Sequence, residues 1–353
     1  MKSVGLALLM CVLPATACCH ESSARANGGG GAPLLPVVVG GKVGFADRKG
    51  HLVIKAQYDA TTPFSEGLAA VKSREQCGYI NASGAMVIPK RFDWALPFSE
   101  GLAFVCVDGK VGCIDRKGAW AVRPVLDRGL RFSEGLAAVE IRGKRGYIDR
   151  HGNVVIAPKY DGALDFREGY GRVKLARRWG YIDRSGKPLG TLRYEYCRPF
   201  SGGLAPAKLM GKWGFIDTRG VWAIQPRFAF AREFSEGLAR VRPIDGEGNI
   251  GLFGYIDKAG RFVITPRFAY AFEFSEGLAA VCPRQSERVT RSSGTYGYVD
   301  RTGKMVIRPQ FEQAEPFAHG LANVAVGGID EPMDSMRWGY IDKTGRYVWA
   351  PTK

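Results

Sequence analysis

Histidine is scarce in this chain: four among 353 residues, at His20, His51, His151 and His319, far apart from one another. No H-E-x-x-H, C-x-x-C, G-x-S-x-G or Walker loop occurs. Their absence argues against zinc peptidases, zinc ribbons, serine hydrolases and P-loop nucleotidases, whose chemistry needs ligands or nucleophiles at fixed spacings. After the N-terminus no apolar run is long enough to cross a membrane as a helix. No stretch keeps an i, i+3, i+4, i+7 apolar pattern either; a Gly or Pro interrupts every few residues, which argues against long helices. Eight cysteines are present, but they form no spaced framework. Cys11, Cys18 and Cys19 lie near the start. Cys77, Cys106, Cys113, Cys197 and Cys282 follow no period and read as small apolar strand residues, with Cys106 and Cys113 the one pair close enough in a hairpin to consider.

What the chain has in excess is glycine, 47 residues, and the excess is ordered. The motif G-[YF]-I-D-x-x-G-x-x-V-I-x-P, followed by F-S-E-G-L-A-x-V, recurs nine times. It is anchored at Gly44, Gly78, Gly112, Gly146, Gly180, Gly214, Gly254, Gly297 and Gly339. The first six anchors are 34 residues apart; the last three intervals are 40, 43 and 42. A period of this size signals an array of one structural repeat.

Each repeat divides into three short strands, illustrated by residues 136–141, 146–149 and 154–156. The D-x-x-G between the second and third reads as a turn in which Asp accepts backbone N–H groups and Gly takes positive φ. One phenylalanine per connection (Phe64, Phe98, Phe132, Phe166, Phe200, Phe234, Phe274, Phe317) is expected to wedge between neighbours. The glycine of each F-S-E-G is expected in the left-handed region. Opening on the L-A-x-V-like strand at 37–39 and closing on a third strand at 347–351, the array predicts an all-β fold of nine three-stranded antiparallel meanders. We expect these to form an open curved β-solenoid, with a closed propeller-like ring as the alternative.

Residues 1–26 read as a signal peptide: Lys2, a short apolar core from Val4 to Val12, and A-x-A sites at Ala15–Ala17 and Ala24–Ala26. Residues 27–36 read as a flexible linker and 37–353 as the repeat array. Export to the periplasm or medium is expected. Lipid anchoring at Cys18 is the alternative, although Ala15 stands where lipoproteins more often carry Leu.

The motif resembles bacterial WG-repeat proteins, whose repeat is G-x-W-G-[YF]-I-D-x-x-G-x-x-V-I-x-P followed by F-x-E-G-L-A. The resemblance spans about residues 37–353. The naming tryptophan stands only at Trp179, Trp213 and Trp338; Val43, Cys77, Val111, Arg145, Phe253 and Tyr296 replace it elsewhere. The resemblance implies a repeat scaffold, often exported, and carries no catalytic residue set.

Repetition governs the candidate sites. The periodic aspartates from Asp47 to Asp342 read as turn caps, because Asn81 replaces one of them and can make the same bond. The F-S-E-G glutamates form a row of equivalent environments, whereas a catalytic carboxylate pair needs unlike ones. A net charge of +16 is partly periodic, through basic residues after the turn aspartate such as Arg116, Arg150 and Arg184. That row reads as a solvated turn face or as a strip for an anionic glycan or lipid surface; nucleic acid is not expected for an exported chain.

The interruptions of the period are the strongest functional pointers. Insertions at 242–253, 282–296 and 325–338 fall at equivalent places and so emerge on one edge of the later repeats. The second is basic (Arg284, Arg288, Arg291); the third is acidic (Asp330, Glu331, Asp334) and ends at Trp338. The first contains Asp245-Gly-Glu-Gly-Asn249, which falls short of a calcium loop because Ile250 stands where glycine is needed. The expectation is a monomeric, non-catalytic scaffold without cofactor or metal. It binds a protein or an anionic polymer of the cell envelope through this edge. The alternatives are an envelope glycan-acting enzyme or inhibitor, with acids such as Asp165, Glu195 or Glu233 converging in a groove, and a structural spacer.

Overall fold

A computed structural model describes residues 34–283, 295–327 and 336–352. Among them there is no helix; the chain is built from antiparallel strands. Two compact units divide it, Met1–Val125 and Leu126–Lys353. The segments assigned to signal peptide and most of the linker lie outside the described residues.

Most of the expected strands form; in the repeat anchored at Gly180 the isolated bridges Ile182–Pro188 and Trp179–Tyr194 stand in place of the third. In the second unit, Leu136–Ile141 pairs with Lys144–Ile148, which pairs with Val154–Tyr160. The anchoring glycine sits where the second and third strands slip register, between Arg145 and Tyr147. A Cβ at Gly146 would lie 2.3 Å from the Ile156 carbonyl oxygen, and one at Gly44 2.5 Å from that of Ile54. The anchor is therefore glycine because the neighbouring backbone occupies the side-chain position.

The meander count differs from expectation. The connection after the third strand, read as irregular, supplies a leading strand to the next repeat. Ala60–Thr61 pairs with Leu68–Ser73, Arg128–Ser133 with Leu136–Ile141, and Gln313–Ala314 with Leu321–Val326. Most repeats are thus four-stranded, while Leu35–Val39, Lys42–Ala46 and Leu52–Tyr58 make one three-stranded sheet and Gly162–Arg167, Tyr170–Leu175 and Arg178–Asp183 another. In the second unit Trp222–Ala231 and Phe262–Ala271 each serve as third strand of one repeat and leading strand of the next, giving a ten-stranded sheet. Pairing satisfies backbone groups that would otherwise be stranded at the sheet edge. It escaped the sequence pattern because many leading strands are two residues long and others carry a register shift, as between Gly129 and Phe132.

F-S-E-G is a two-residue hairpin turn. Glu66 (φ 52°) and Gly67 (φ 81°) are both left-handed, and Ser65 and Leu68 exchange backbone hydrogen bonds of 2.9 and 3.1 Å. This is a type I′ turn with Glu in place of the commoner Asn. The D-x-x-G turns form as expected: Asp47 Oδ1 accepts from the N–H groups of Lys49 and His51, both at 2.8 Å. Asn81 accepts from Ser83 and Ala85 in the same way.

The core repeats with the motif. Wedge phenylalanines lie against the aromatic residue of the preceding repeat, as Tyr79 and Phe98 at 4.8 Å between ring centroids, Tyr147 and Phe166 at 4.9 Å, and Tyr298 and Phe317 at 4.8 Å; before Phe132 that place is held by Cys113. The tyrosine hydroxyl donates to the carbonyl two residues before the wedge, from Tyr79 to Leu96 and from Tyr255 to Phe272, both at 2.7 Å. Burying such a ring stabilises by roughly 1.5–3 kcal/mol, and the hydroxyl bond prevents an orphaned polar group.

Candidate functional site

Three groups of expected site residues meet different fates. Arg284, Arg288 and Arg291, and Asp330, Glu331 and Asp334, lie outside the described residues. Trp338 is half-buried at the start of its strand, opposite Ala325. Arg116, Arg150 and Arg184 are exposed on their turns.

The basic turn row has a structural task that the sequence reading missed. Arg184 Nη2 donates to the Glu134 carbonyl at 2.6 Å, Lys258 Nζ to that of Gly202 at 2.7 Å, and Lys343 Nζ to that of Glu276 at 3.0 Å. Arg116 stands in the same relation to Gly67, with Nη2 3.4 Å from where a Cβ would be. These basic side chains thus reach back to the F-S-E-G turn of the preceding repeat.

That turn is stapled twice more. Its serine hydroxyl donates to the next wedge carbonyl, as Ser235 to Phe274 at 2.6 Å and Ser275 to Phe317 at 2.6 Å. Its glutamate accepts from the next turn's glycine N–H, as Glu66 from Gly101 at 2.9 Å and Glu134 from Gly169 at 2.9 Å. Glu276 accepts from Gly320 at 2.9 Å and pairs with Lys343 at 3.2 Å. Burial opposes its charge, but the Gly320 N–H and Lys343 outweigh it and hold the carboxyl below its ordinary value. The periodic acids are therefore structural, as expected.

The first insertion is a small hairpin on a further D-x-x-G turn. Asp245 Oδ1 accepts from Glu247 and Asn249 at 3.0 and 2.8 Å, and Gly248 has φ 88°. Ile244 bridges Ile250. The acids resembling a calcium loop thus repeat the turn chemistry of the array. Arg242 fixes the insertion's foot: its Nε donates to the Gly251 carbonyl at 2.8 Å and its guanidinium covers Phe253 at 5.2 Å.

Beside this foot lies the least periodic feature of the second unit. Arg198, Arg232, Glu233, Arg240 and Glu273 gather among aromatic rings. Arg198 covers Trp213 at 5.2 Å and Phe230 at 5.5 Å; Arg240 covers the same Phe230 at 5.4 Å, Phe272 at 5.5 Å and Phe253 at 5.8 Å. Phe230 is therefore shared by two guanidinium groups. Glu273 Oε1 lies 3.2 Å from Arg240 Nη2 and 3.4 Å from Arg232 Nε. The ring column continues from Phe272 to Tyr296 at 5.8 Å and from Trp213 to Tyr196 at 6.0 Å. Phe253 and Tyr296 begin the strands that follow the first and second insertions, so the column runs along the insertions' feet.

The electrostatics are unusual. Burial and the neighbouring Arg232 push Arg198 down to about 10. Burial likewise lowers Arg240, against Glu273. Burial works against the charge of Glu273, but Arg240 and Arg232 keep its carboxyl below the usual range. The Nε atoms of Arg198, Arg232 and Arg240 and Oε2 of Glu233 are buried without a hydrogen-bond partner.

The sequence held a signal for this cluster. At the place of Arg198 and Arg232, two before the wedge, earlier repeats carry Thr62, Leu96, Leu130 and Leu164; at the place of Arg240 they carry Ala70, Phe104, Ala138, Arg172 and Pro206. Of the acids considered for catalysis, Asp165 pairs with Arg131 at 2.7 Å, and Glu195 pairs with Lys208 at 3.8 Å and accepts from Gly211 at 2.9 Å. Only Glu233 joins the cluster. Cys77, Cys106, Cys113, Cys197 and Cys282 are buried and free; burial raises the thiols, that of Cys197 to about 12.

A family model described as "WG containing repeat" matches residues 44–76, 78–110, 112–144, 146–176, 179–213, 213–247, 253–282 and 296–328. No curated protein matches the sequence. Among solved structures, one described as the crystal structure of the eukaryotic initiation factor is similar in fold, with 12% identity, 92% of this chain and 96% of that chain covered, and a TM-score of 0.62. AztD of Citrobacter koseri matches at 16% identity over 81% of this chain and 93% of its own, with a TM-score of 0.41.

Proposed function

The chain belongs to the family of WG-containing repeat proteins, and from that premise we propose that it is a non-catalytic binding scaffold. The matched positions are turn and core residues whose structural tasks are accounted for above, so recognition falls to what departs from the repeat. By their place in the period the three insertions belong to one edge of the later repeats, and the arginine–aromatic column includes Phe253 and Tyr296, at the feet of the first two. The observation carrying the reading is that column, where Arg198 and Arg240 share Phe230 beside the first insertion. Arginine and aromatic side chains together supply charge, in-plane donors and apolar area, the usual composition of a binding centre.

The partner is a protein or an anionic polymer of the cell envelope, met after export directed by residues 1–26, with a lipid anchor at Cys18 as the alternative attachment. For the repeats of Leu126–Lys353 we propose an open curved solenoid. The uninterrupted strands Trp222–Ala231 and Phe262–Ala271, which join neighbouring repeats in one sheet, favour that form. Capture from envelope material by the whole chain, set against a variant with all three insertions shortened to the 34-residue period, tests the docking edge. Loss of capture is expected; equal capture by both would remove the insertions from the site.

A further inference from the structure

We propose that Arg198, Arg232 and Arg240 form a receptor for a tetrahedral oxyanion, the sulfate or phosphate group of an anionic partner. This deepens the docking reading and rests on it for the identity of the partner, while the receptor itself stands on three observations.

The first is the charge count. Three guanidinium groups face two carboxylates, Glu233 and Glu273, and one carboxylate serves two of the three: Glu273 Oε1 lies within 3.4 Å of both Arg232 and Arg240. Among the described residues one positive charge is in excess, on groups drawn largely out of water (the Arg232 and Arg240 side chains are 20% and 10% exposed), where an unmatched charge is costly. Its mark is the mutual repulsion by which Arg232 and Arg240 add to burial in lowering Arg198.

The second is the state of the donors. Nε of each of the three arginines is buried and makes no hydrogen bond, including that of Arg232, which is within ion-pair range of Glu273. Two of these groups lie over ring faces: Arg198 over Trp213 and Phe230, Arg240 over Phe230 and Phe272. A guanidinium stacked on its faces can offer hydrogen bonds only from its edge, so the edges are what remain for a ligand. Three donors on separate side chains from two repeats suit an acceptor with oxygens in several directions, as a tetrahedral ion has, better than a planar carboxylate.

The third is dispensability to the fold. Thr62, Leu96, Leu130 and Leu164 stand at the place of Arg198 and Arg232, and Ala70, Phe104 and Ala138 at that of Arg240, in repeats whose strands form, although Arg172 already stands at the Arg240 place in the repeat anchored at Gly180. The arginines are additions to a scaffold that forms without them.

The test uses the full chain and isothermal titration with sodium sulfate, against sodium chloride at matched ionic strength and against acetate. A saturable, stoichiometric sulfate heat absent from chloride and weaker with acetate is expected. Arg198→Gln and Arg240→Gln should each weaken sulfate binding roughly tenfold or more, the loss of a charged donor. Glu233→Gln removes a competing negative charge and should tighten binding, a change of sign that a folding defect cannot imitate. Inorganic phosphate and a sulfated polysaccharide, run beside the free ion, distinguish a phosphate from a sulfate source and a free from a polymer-borne group. Sulfate that gives no saturable heat overturns the receptor, as does sulfate binding equally strong in all three variants. Either failure leaves the insertion edge untouched, since envelope capture is measured without added sulfate.

Discussion

At the level of single residues the array is held by a few chemical necessities repeated many times. Gly214 lies where the third strand passes over it, and a Cβ there would stand 2.5 Å from the Ile224 carbonyl oxygen; Gly211, three residues earlier, has φ 77° and open space around it. Gly214→Ala should therefore cost about 3 kcal/mol or more through a forced backbone shift, and Gly211→Ala only about 1–2 kcal/mol of backbone strain. Urea unfolding of the two variants measures the order, and a reversed order would discredit the crossing. The turn aspartates carry a pH signature. A backbone hydrogen bond from His51 depresses Asp47, and side-chain bonds from Asn153 and Ser185 depress Asp149 and Asp183. A depressed folded value means stability that is full above the ordinary carboxylate value and lost as pH falls through the folded one. Unfolding midpoints should hold from pH 7 to pH 5 and fall below about pH 4, where free aspartates begin to protonate. Asp149→Asn, which mimics the natural Asn81, should shrink that fall; an unchanged pH profile would mean its carboxylate contributes nothing.

Among the elements, consecutive repeats are joined by a wedge and a staple. Phe274→Ala removes a buried ring that packs 4.8 Å from Tyr255 and should destabilise by about 3–5 kcal/mol. Ser275→Ala deletes the 2.6 Å bond to the Phe317 carbonyl and should cost about 1 kcal/mol. Hydrogen exchange would localise both losses; faster exchange confined to repeats distant from the wedge would contradict the assignment. Much of this was legible in the sequence. The D-x-x-G turns, the left-handed glycine of F-S-E-G and the wedge all follow from residue type and period. Leading strands such as Ala60–Thr61 did not, because two residues carry no alternation to read. The basic turn row was legible as an exposed face, and only the fold shows that the donors of Arg184 and Lys258 also reach a carbonyl 50 and 56 residues earlier.

On the scale of the whole molecule, period and function separate. The repeats supply the turns and the core, and the proposed site lies in the departures from the repeat. The insertions were legible as departures because they change the interval between anchors. The arginine cluster was harder to see, because substitutions at Arg198, Arg232 and Arg240 leave every interval intact and matter only once the fold brings them together. The central claim is that recognition is confined to this edge. Hydrogen exchange of the full chain, free and bound to the partner captured from envelope material, tests it most directly. Protection should gather over Tyr196–Cys197, the strand Ala239–Pro243 and the strand Tyr296–Asp300, leaving Leu68–Ser73 and Leu102–Val107 unchanged. Protection spread evenly over early and late repeats, or gathered in the early ones, would contradict it.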